Sequence, residues 1–233
     1  MSKSGTVVLI SAGEEWQAVR ALFPQVEPQS SPLGEWFMTD LDLGQRRERV
    51  IFFHGGWGKI AAAASTQYVI DRWSPAILVN LGTCGGLEGE IERGSIVLAE
   101  RTLVYDIADQ MTDPQAAIAH YATELDLSWL RAPYPQPVRR TLLVSADRDL
   151  IVEDISQLKA QYNAAAGDWE SGAIAWVVAH NNTRCLILRG VTDLVGASGG
   201  EAYDGNKHVY DENARVVMEQ LVRALPAWLA KAL

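Results

Sequence analysis

TVVLISAGEEWQAVRALF, residues 6–23, begins as a run of β-branched and apolar residues and continues as EEWQAVRALF, whose apolar positions fit a helix. The first run is apolar throughout, with no polar alternation, as expected of a strand covered on both faces. The same switch recurs along the chain. VIFF is followed by GKIAAAASTQYVIDRW, then come AILVNLG, GSIVLAE and TLLVSA, and CLILRGVT precedes a long C-terminal helical pattern. Alternating strand and helix signals with near-continuous apolar strands predict an α/β fold of three layers, a central, mostly parallel, twisted mixed sheet flanked by helices. Residues 24–50 mix Pro, Ser and Gly with charges of both signs and read as a β excursion, while RAPYPQPVRR at 131–140 reads as an exposed loop. With no internal repeat or linker, residues 1–233 are expected to form one domain.

Composition narrows the function classes. The 233 residues hold 20 basic and 29 acidic side chains, net −9, which disfavours nucleic acid or an anionic membrane as the main partner. Two cysteines, Cys84 and Cys185, each inside an apolar stretch, supply neither a disulfide framework nor a zinc site and suit the reducing cytoplasm. The four histidines, at 54, 120, 180 and 208, lack metal-ligand spacing, so no metal and no cofactor is expected. The N-terminal apolar run ends in two acids rather than a cleavage site, and no apolar run approaches the roughly 20 residues of a membrane span.

In an open parallel sheet, ligands sit beyond the carboxyl ends of the strands. Four such places carry polar or Gly-rich chemistry: SAGEEW with Glu14 and Glu15, HGGWGK, NLGTCGGL, and RGVTDLVG with Arg189, Thr192 and Asp193. None is a dinucleotide fingerprint, a P-loop or a nucleophile elbow. Carboxylate chemistry remains. It is joined by AGDWESGAIAWVVAHN, residues 166–181, where Asp168 and Glu170 flank Trp169 at the start of a helical pattern. Acids at a helix start are favoured by the helix dipole, and that structural reading is kept for Asp168.

Taken together, these motifs resemble the nucleoside phosphorylase and nucleosidase superfamily, and within it the 5′-methylthioadenosine/S-adenosylhomocysteine nucleosidases. VNLGTCGGL (79–87) is similar to the family's Asn-x-Gly-Ser-x-Gly-Gly turn, GGWGKIAAA (55–63) to its Gly-x-Gly-Lys helix start, DWESGA to its Glu-Met-Glu-Ala ribose clamp, and RGVTDLVG to its Arg-x-x-Ser-Asp motif. The resemblance implies a nucleoside phosphorylase-like fold and hydrolysis of the N-glycosidic bond of a purine nucleoside, releasing adenine as in methionine salvage.

It also implies roles. Glu170 would bind the ribose 2′ and 3′ hydroxyls as an ionised acceptor, and Asp193 would protonate the departing base, since adenine leaves poorly unless N7 is protonated. Glu15 would activate water, with Arg189 and Thr83 orienting it, and Glu14 is the alternative base one residue away. Trp169, Trp57, Thr192, Leu150, Ile151 and Tyr203 complete the expected substrate-binding set, with Tyr203 closing over the 5′ substituent. Thr192, Trp169 and Trp57 depart from the family's Ser, Met and slimmer apolar residue, which leaves the 5′ substituent open. Asn80 stands where related phosphorylases carry Arg, which favours water over phosphate. The resemblance further implies a homodimer, with VYDIADQMTDP (104–114) reaching across to a neighbouring 5′ pocket. The alternatives are a nucleoside phosphorylase, a futalosine-type hydrolase and a non-catalytic nucleoside-binding protein on the same fold.

Overall fold

The structure is a computed structural model and describes residues 5–233. In chain order its elements are β1 (Thr6–Ile10), α1 (Gly13–Leu22), β2 (Gln29–Ser31), β3 (Gly34–Asp42), β4 (Arg47–His54), α2 (Lys59–Trp73), β5 (Ile77–Leu87), β6 (Ile96–Val104), α3 (Pro114–His120) and β7 (Thr123–Glu124). There follow β8 (Arg139–Ser145), α4 (Val152–Tyr162), β9 (Ala166–Asp168), α5 (Ser171–His180), β10 (Cys185–Gly196), β11 (Gly199–Gly200) and α6 (Lys207–Ala232).

The apolar run of β1 does what its composition predicts. Val8 and Ile10 enter a core with Val19 of α1 and Met218 of α6, while Val7 and Leu9 enter the opposite core with Ala62 of α2 and Ile174 of α5. The neighbouring strands divide their side chains in the same way, so the sheet is the middle of three layers.

Strands β4, β1, β5 and β10 run parallel side by side, and β6, β8 and β9 form a second parallel set. Antiparallel ladders β5–β9 and β10–β6 join the two sets, so β5, β10, β6, β8 and β9 close into a ring. The sheet is the expected mixed one: among the described residues five ladders are parallel and six antiparallel, and the parallel ladders include the long pairings of β5 with β10 and of β6 with β8. Long apolar strands signal burial on both faces and carry no mark of the direction of their neighbours. The excursion at 24–50 is β2, β3 and the start of β4, an antiparallel meander on the sheet edge.

Two backbone features aim the site. Thr192 drops out of register between Val191 and Asp193 in the β10–β5 ladder, a bulge that re-aims the side chains beyond it. Gly82 in β5 lies so close to Arg189 that a Cβ there would sit 1.9 Å from its Nη1, so any side chain would displace the guanidinium.

Candidate active site

The ends of β1, β4, β5, β9 and β10 converge on an open cavity of about 850 Å³. Glu14, Glu15, Trp57, Thr83, Trp169, Glu170, Leu150, Thr192, Asp193 and Tyr203 all line it. Two expected residues do not. Arg189 is fully buried beneath the cavity floor, and Ile151 is the partly exposed N-cap residue of α4.

The floor is a buried charge cluster. Glu15, in the first turn of α1, accepts hydrogen bonds from the backbone N–H of Thr83 at 2.6 Å, the Thr83 hydroxyl at 2.8 Å and the backbone N–H of Ala12 at 3.1 Å. Glu14 instead turns outward to Lys207 at 2.7 Å, which holds its carboxyl below the usual range. Geometry therefore separates two acids that sequence alone left interchangeable. Glu170 accepts from the Gly58 N–H at 3.0 Å. Gly58 adopts φ 85°, a left-handed conformation that suits glycine and turns this amide toward the carboxylate.

Arg189 is the cation among these acids. Its Nε lies 2.9 Å from Asp168, and its terminal nitrogens lie 3.6 Å from Glu170 and 3.8 Å from Glu15. Its Nη2 also donates to the Asn80 side-chain oxygen at 2.9 Å, and Asn80 in turn donates to the Leu9 carbonyl of β1. Burial pulls the Arg189 pKa down, but Asp168, Glu170 and Glu15 outweigh it and hold the guanidinium above its usual value. Arg189 has no exposed surface, and its contacts are to the three carboxylates, Asn80 and neighbouring groups of the floor. Asp168 accepts from the Ser171 N–H at the first turn of α5, consistent with its helix-start reading, and also from the Ser145 and Ser171 hydroxyls.

Burial drives the Glu170 pKa up to about 8, with Arg189 opposing and Asp168 and Glu15 reinforcing the rise. This rise opposes ionisation of Glu170, so the hydrogen bond from Gly58 and the nearby guanidinium of Arg189 are what favour its charged form. One guanidinium is shared by three buried carboxylates, and its attraction offsets only part of the cost of burying Glu170.

At the other end of the cavity Asp193 stands without a close cation. Its Oδ1 accepts from the Thr192 hydroxyl at 2.6 Å, and burial raises its pKa despite that bond. Tyr203 donates its hydroxyl to the Leu150 carbonyl at 2.9 Å, bridging the 197–206 segment to the loop before α4. Trp57 and Trp169 meet edge to face at 5.3 Å, and Trp57 remains 65% exposed.

A model of the phosphorylase superfamily matches residues 6–226. The chain belongs to that superfamily. Among curated relatives in the superfamily, the 5′-methylthioadenosine/S-adenosylhomocysteine nucleosidase of Thermotoga maritima is 25% identical over 178 residues, covering 76% of this chain and 81% of the relative. That of Haemophilus influenzae is 30% identical over 62% of this chain and 68% of the relative. In solved structures the superfamily fold is matched by the Helicobacter pylori 5′-methylthioadenosine/S-adenosylhomocysteine nucleosidase with butyl-thio-DADMe-Immucillin-A, at TM-score 0.78 and 15% identity over 97% of this chain and 99% of that one. The futalosine hydrolase of Helicobacter pylori matches at TM-score 0.77 and 16% identity over 95% and 97%.

The sequence reading missed several cavity residues. Tyr210 of α6, whose hydroxyl interacts with Thr83, is held neutral by burial and by Glu15, while His54, Tyr105, Arg148 and Lys207 also line the cavity. Tyr210 sits two residues after His208 and three after Lys207 in an ordinary amphipathic pattern, so only the packing of α6 over β5 and β10 marks it out.

Proposed function

We propose that the chain is a nucleosidase that hydrolyses the N-glycosidic bond of a purine nucleoside, with a 5′-thio-substituted adenosine such as 5′-methylthioadenosine or S-adenosylhomocysteine as substrate. The observation that carries the reading is one cavity with a buried, neutral-leaning carboxyl at one end, Asp193, and a hydrogen-bonded carboxylate beside a hydroxyl at the other, Glu15 with Thr83.

The chemistry follows from the placement. Breaking an N-ribosidic bond develops positive charge on the sugar, and adenine departs more readily when its ring nitrogen is protonated. Asp193, its pKa raised by burial, is suited to give that proton, and Thr192 fixes the orientation of its carboxyl. Glu170 binds the vicinal ribose hydroxyls through its ionised form, which Arg189 and the Gly58 N–H favour against the cost of burial. Glu15 takes the proton of the attacking water, and the amide and hydroxyl of Thr83 keep the carboxylate pointed at it. Negative charge on Glu15 and Glu170 also assists the cationic sugar.

Water is favoured over phosphate as nucleophile. A phosphate dianion would need charge-assisted donors, and the nearby guanidinium of Arg189 is already engaged by three carboxylates. Trp57 and Trp169 form the wall against which the 5′ substituent rests, while Tyr203, expected on the 5′ side, is bonded to Leu150 in the neighbourhood of Asp193 and so lies nearer the base. The exposure of Trp57, of Ile60 at 85% and of Met111 at 93% supports a homodimer in which a second copy covers this side of the cavity. The free, buried thiols of Cys84 and Cys185 fit a cytoplasmic enzyme.

The deciding experiment is a panel of 5′-modified purine nucleosides incubated with and without phosphate and scored for free base. Base release without phosphate, greatest for 5′-thio-substituted adenosines, is the expected result. Release only with phosphate would make the protein a phosphorylase, and binding without release would make it a nucleoside-binding protein.

A further inference from the structure

The cluster beneath the cavity is asymmetric. Of the three carboxylates around Arg189, only Asp168 reaches it at hydrogen-bonding distance, 2.9 Å against 3.6 Å for Glu170 and 3.8 Å for Glu15. The reason lies in what anchors each group. Asp168 closes β9 and is held from three sides, by the Ser145 hydroxyl at 2.6 Å, the Ser171 N–H at 3.1 Å and the Ser171 hydroxyl. Ser171 also accepts from Arg189 Nε at 3.1 Å, and Ser145 accepts from the Gly172 N–H at 2.8 Å, so both serines are fixed themselves. Arg189 is pulled toward β9 and kept there by Asn80 on its other side.

We propose that Asp168 is a positioning residue for the reaction: as the one carboxylate at hydrogen-bonding distance from Arg189 it stops the guanidinium from closing onto Glu170 and Glu15, and so leaves their carboxylates open toward substrate and water. Asp168 does not touch the reacting atoms in this arrangement and acts through Arg189. Without its charge, Arg189 would be drawn to the two remaining acids, and a charge-assisted pair with Glu170 would occupy the lone pairs meant for the ribose hydroxyls. The charge balance points the same way, since Asp168 is one of the groups that raise Glu170, while Arg189 lowers it. Ionisable groups that face this cluster are Glu14 and Glu15 of α1, His54 of β4, Cys84 of β5, Arg189 of β10 and Tyr210 of α6, with Asp193 beyond Cys84, whose buried thiol is pushed above its usual range and stays neutral.

The catalytic part of this inference rests on the proposed hydrolysis, but its electrostatic part does not. Two measurements separate them. In the free protein labelled with ¹³C at the glutamate carboxyl, the resonance that disappears in Glu170→Gln reports the Glu170 midpoint directly. In Asp168→Asn that midpoint is expected to fall by about one pH unit or more, because a repelling charge is lost and Arg189 is released toward Glu170. Ser145→Ala, which keeps the carboxylate, is expected to leave it within about 0.3 unit. An unchanged or higher midpoint in Asp168→Asn, or a fall as large in Ser145→Ala, overturns the inference. In steady-state assays of base release, Asp168→Asn is expected to lower kcat/KM about tenfold or more and to move its acid limb to lower pH, with Asp168→Glu recovering the wild-type limb. A uniform fall with the limb in place would mean a structural role alone. If Asp168→Asn does not fold, Asp168→Glu decides, since a lowered midpoint there contradicts the proposal and a retained one supports it. Absence of base release by the wild-type protein would defeat the proposed function, and the midpoint measurement would still judge Asp168.

Discussion

The two ends of the cavity handle buried acid in opposite ways. Around Arg189 three carboxylates share one cation and are kept apart by backbone amides and serine or threonine hydroxyls, whereas Asp193 has a single threonine hydroxyl and no close positive charge. The first arrangement fixes geometry and lets the charge on each acid be tuned by its neighbours. In the second, burial raises the Asp193 pKa against the Thr192 hydroxyl, the direction that suits the general acid proposed for it. Desolvation is common to both ends, and the position of Arg189 decides which acids feel it most.

The largest effect expected from breaking this contrast is at the unpaired end. Asp193→Asn keeps size and shape but cannot donate a carboxylic proton, so adenine release should fall roughly 10² to 10⁴-fold, the scale of lost general acid catalysis. A p-nitrophenyl riboside, whose leaving group needs no proton, should restore most of that loss in Asp193→Asn and little of the loss in Glu170→Gln. Equal rescue of the two variants would mean that the roles of the ends have been exchanged or misassigned.

Glu15→Gln tests the paired end. It retains contacts to Thr83 but removes the base, and kcat is expected to drop about 10²-fold with KM changed much less. A change confined to KM would reassign Glu15 to binding.

A subtler test uses stability. Because the Glu170 pKa is raised from 4.5 to about 8, the native protein holds a proton that the unfolded chain has released between those values, so this group's contribution is present at low pH and is lost as pH rises through about 8. The denaturation midpoint of the ligand-free protein should therefore fall more steeply between pH 5 and about 8 in the wild type than in Glu170→Gln. His54, lowered by burial, works in the opposite direction in both proteins and cancels in the comparison. Parallel curves would show that Glu170 is ionised in the empty site.

The smallest expected effect concerns the cover over the base end. Tyr203→Ala removes one hydrogen bond to the Leu150 carbonyl and an aromatic face, and KM should rise about fivefold, the scale of a hydrogen bond worth roughly 1 kcal/mol, with kcat little changed. No change in KM across substrates would take Tyr203 out of the binding set.

Much of this contrast could be read before any coordinates. The continuous apolar runs at 6–11 and 76–82 specify strands buried on both faces, and the polar stretches following them mark where a site can form, since a parallel strand ends in a loop that has no pairing of its own. Direction and closure of the sheet were less legible. The five-strand ring depends on β9, three residues that look like a loop between two helices and pair only because β5 and β8 present free edges on either side.

Sequence by itself determined which chemistry the chain can bring: acids, an arginine among them, glycine turns and no metal-ligand spacing, because residue type sets the available protons and donors. Tertiary structure decided what each acid is for. Glu14 and Glu15 are adjacent and alike, yet α1 turns one toward Lys207 and the other beneath the cavity, and Asp168 and Glu170 differ chiefly in which of them Arg189 can approach. The energy of a buried charge depends on the few ångströms to its neighbours and on the water it has lost, and both are fixed only when distant strands and helices pack together.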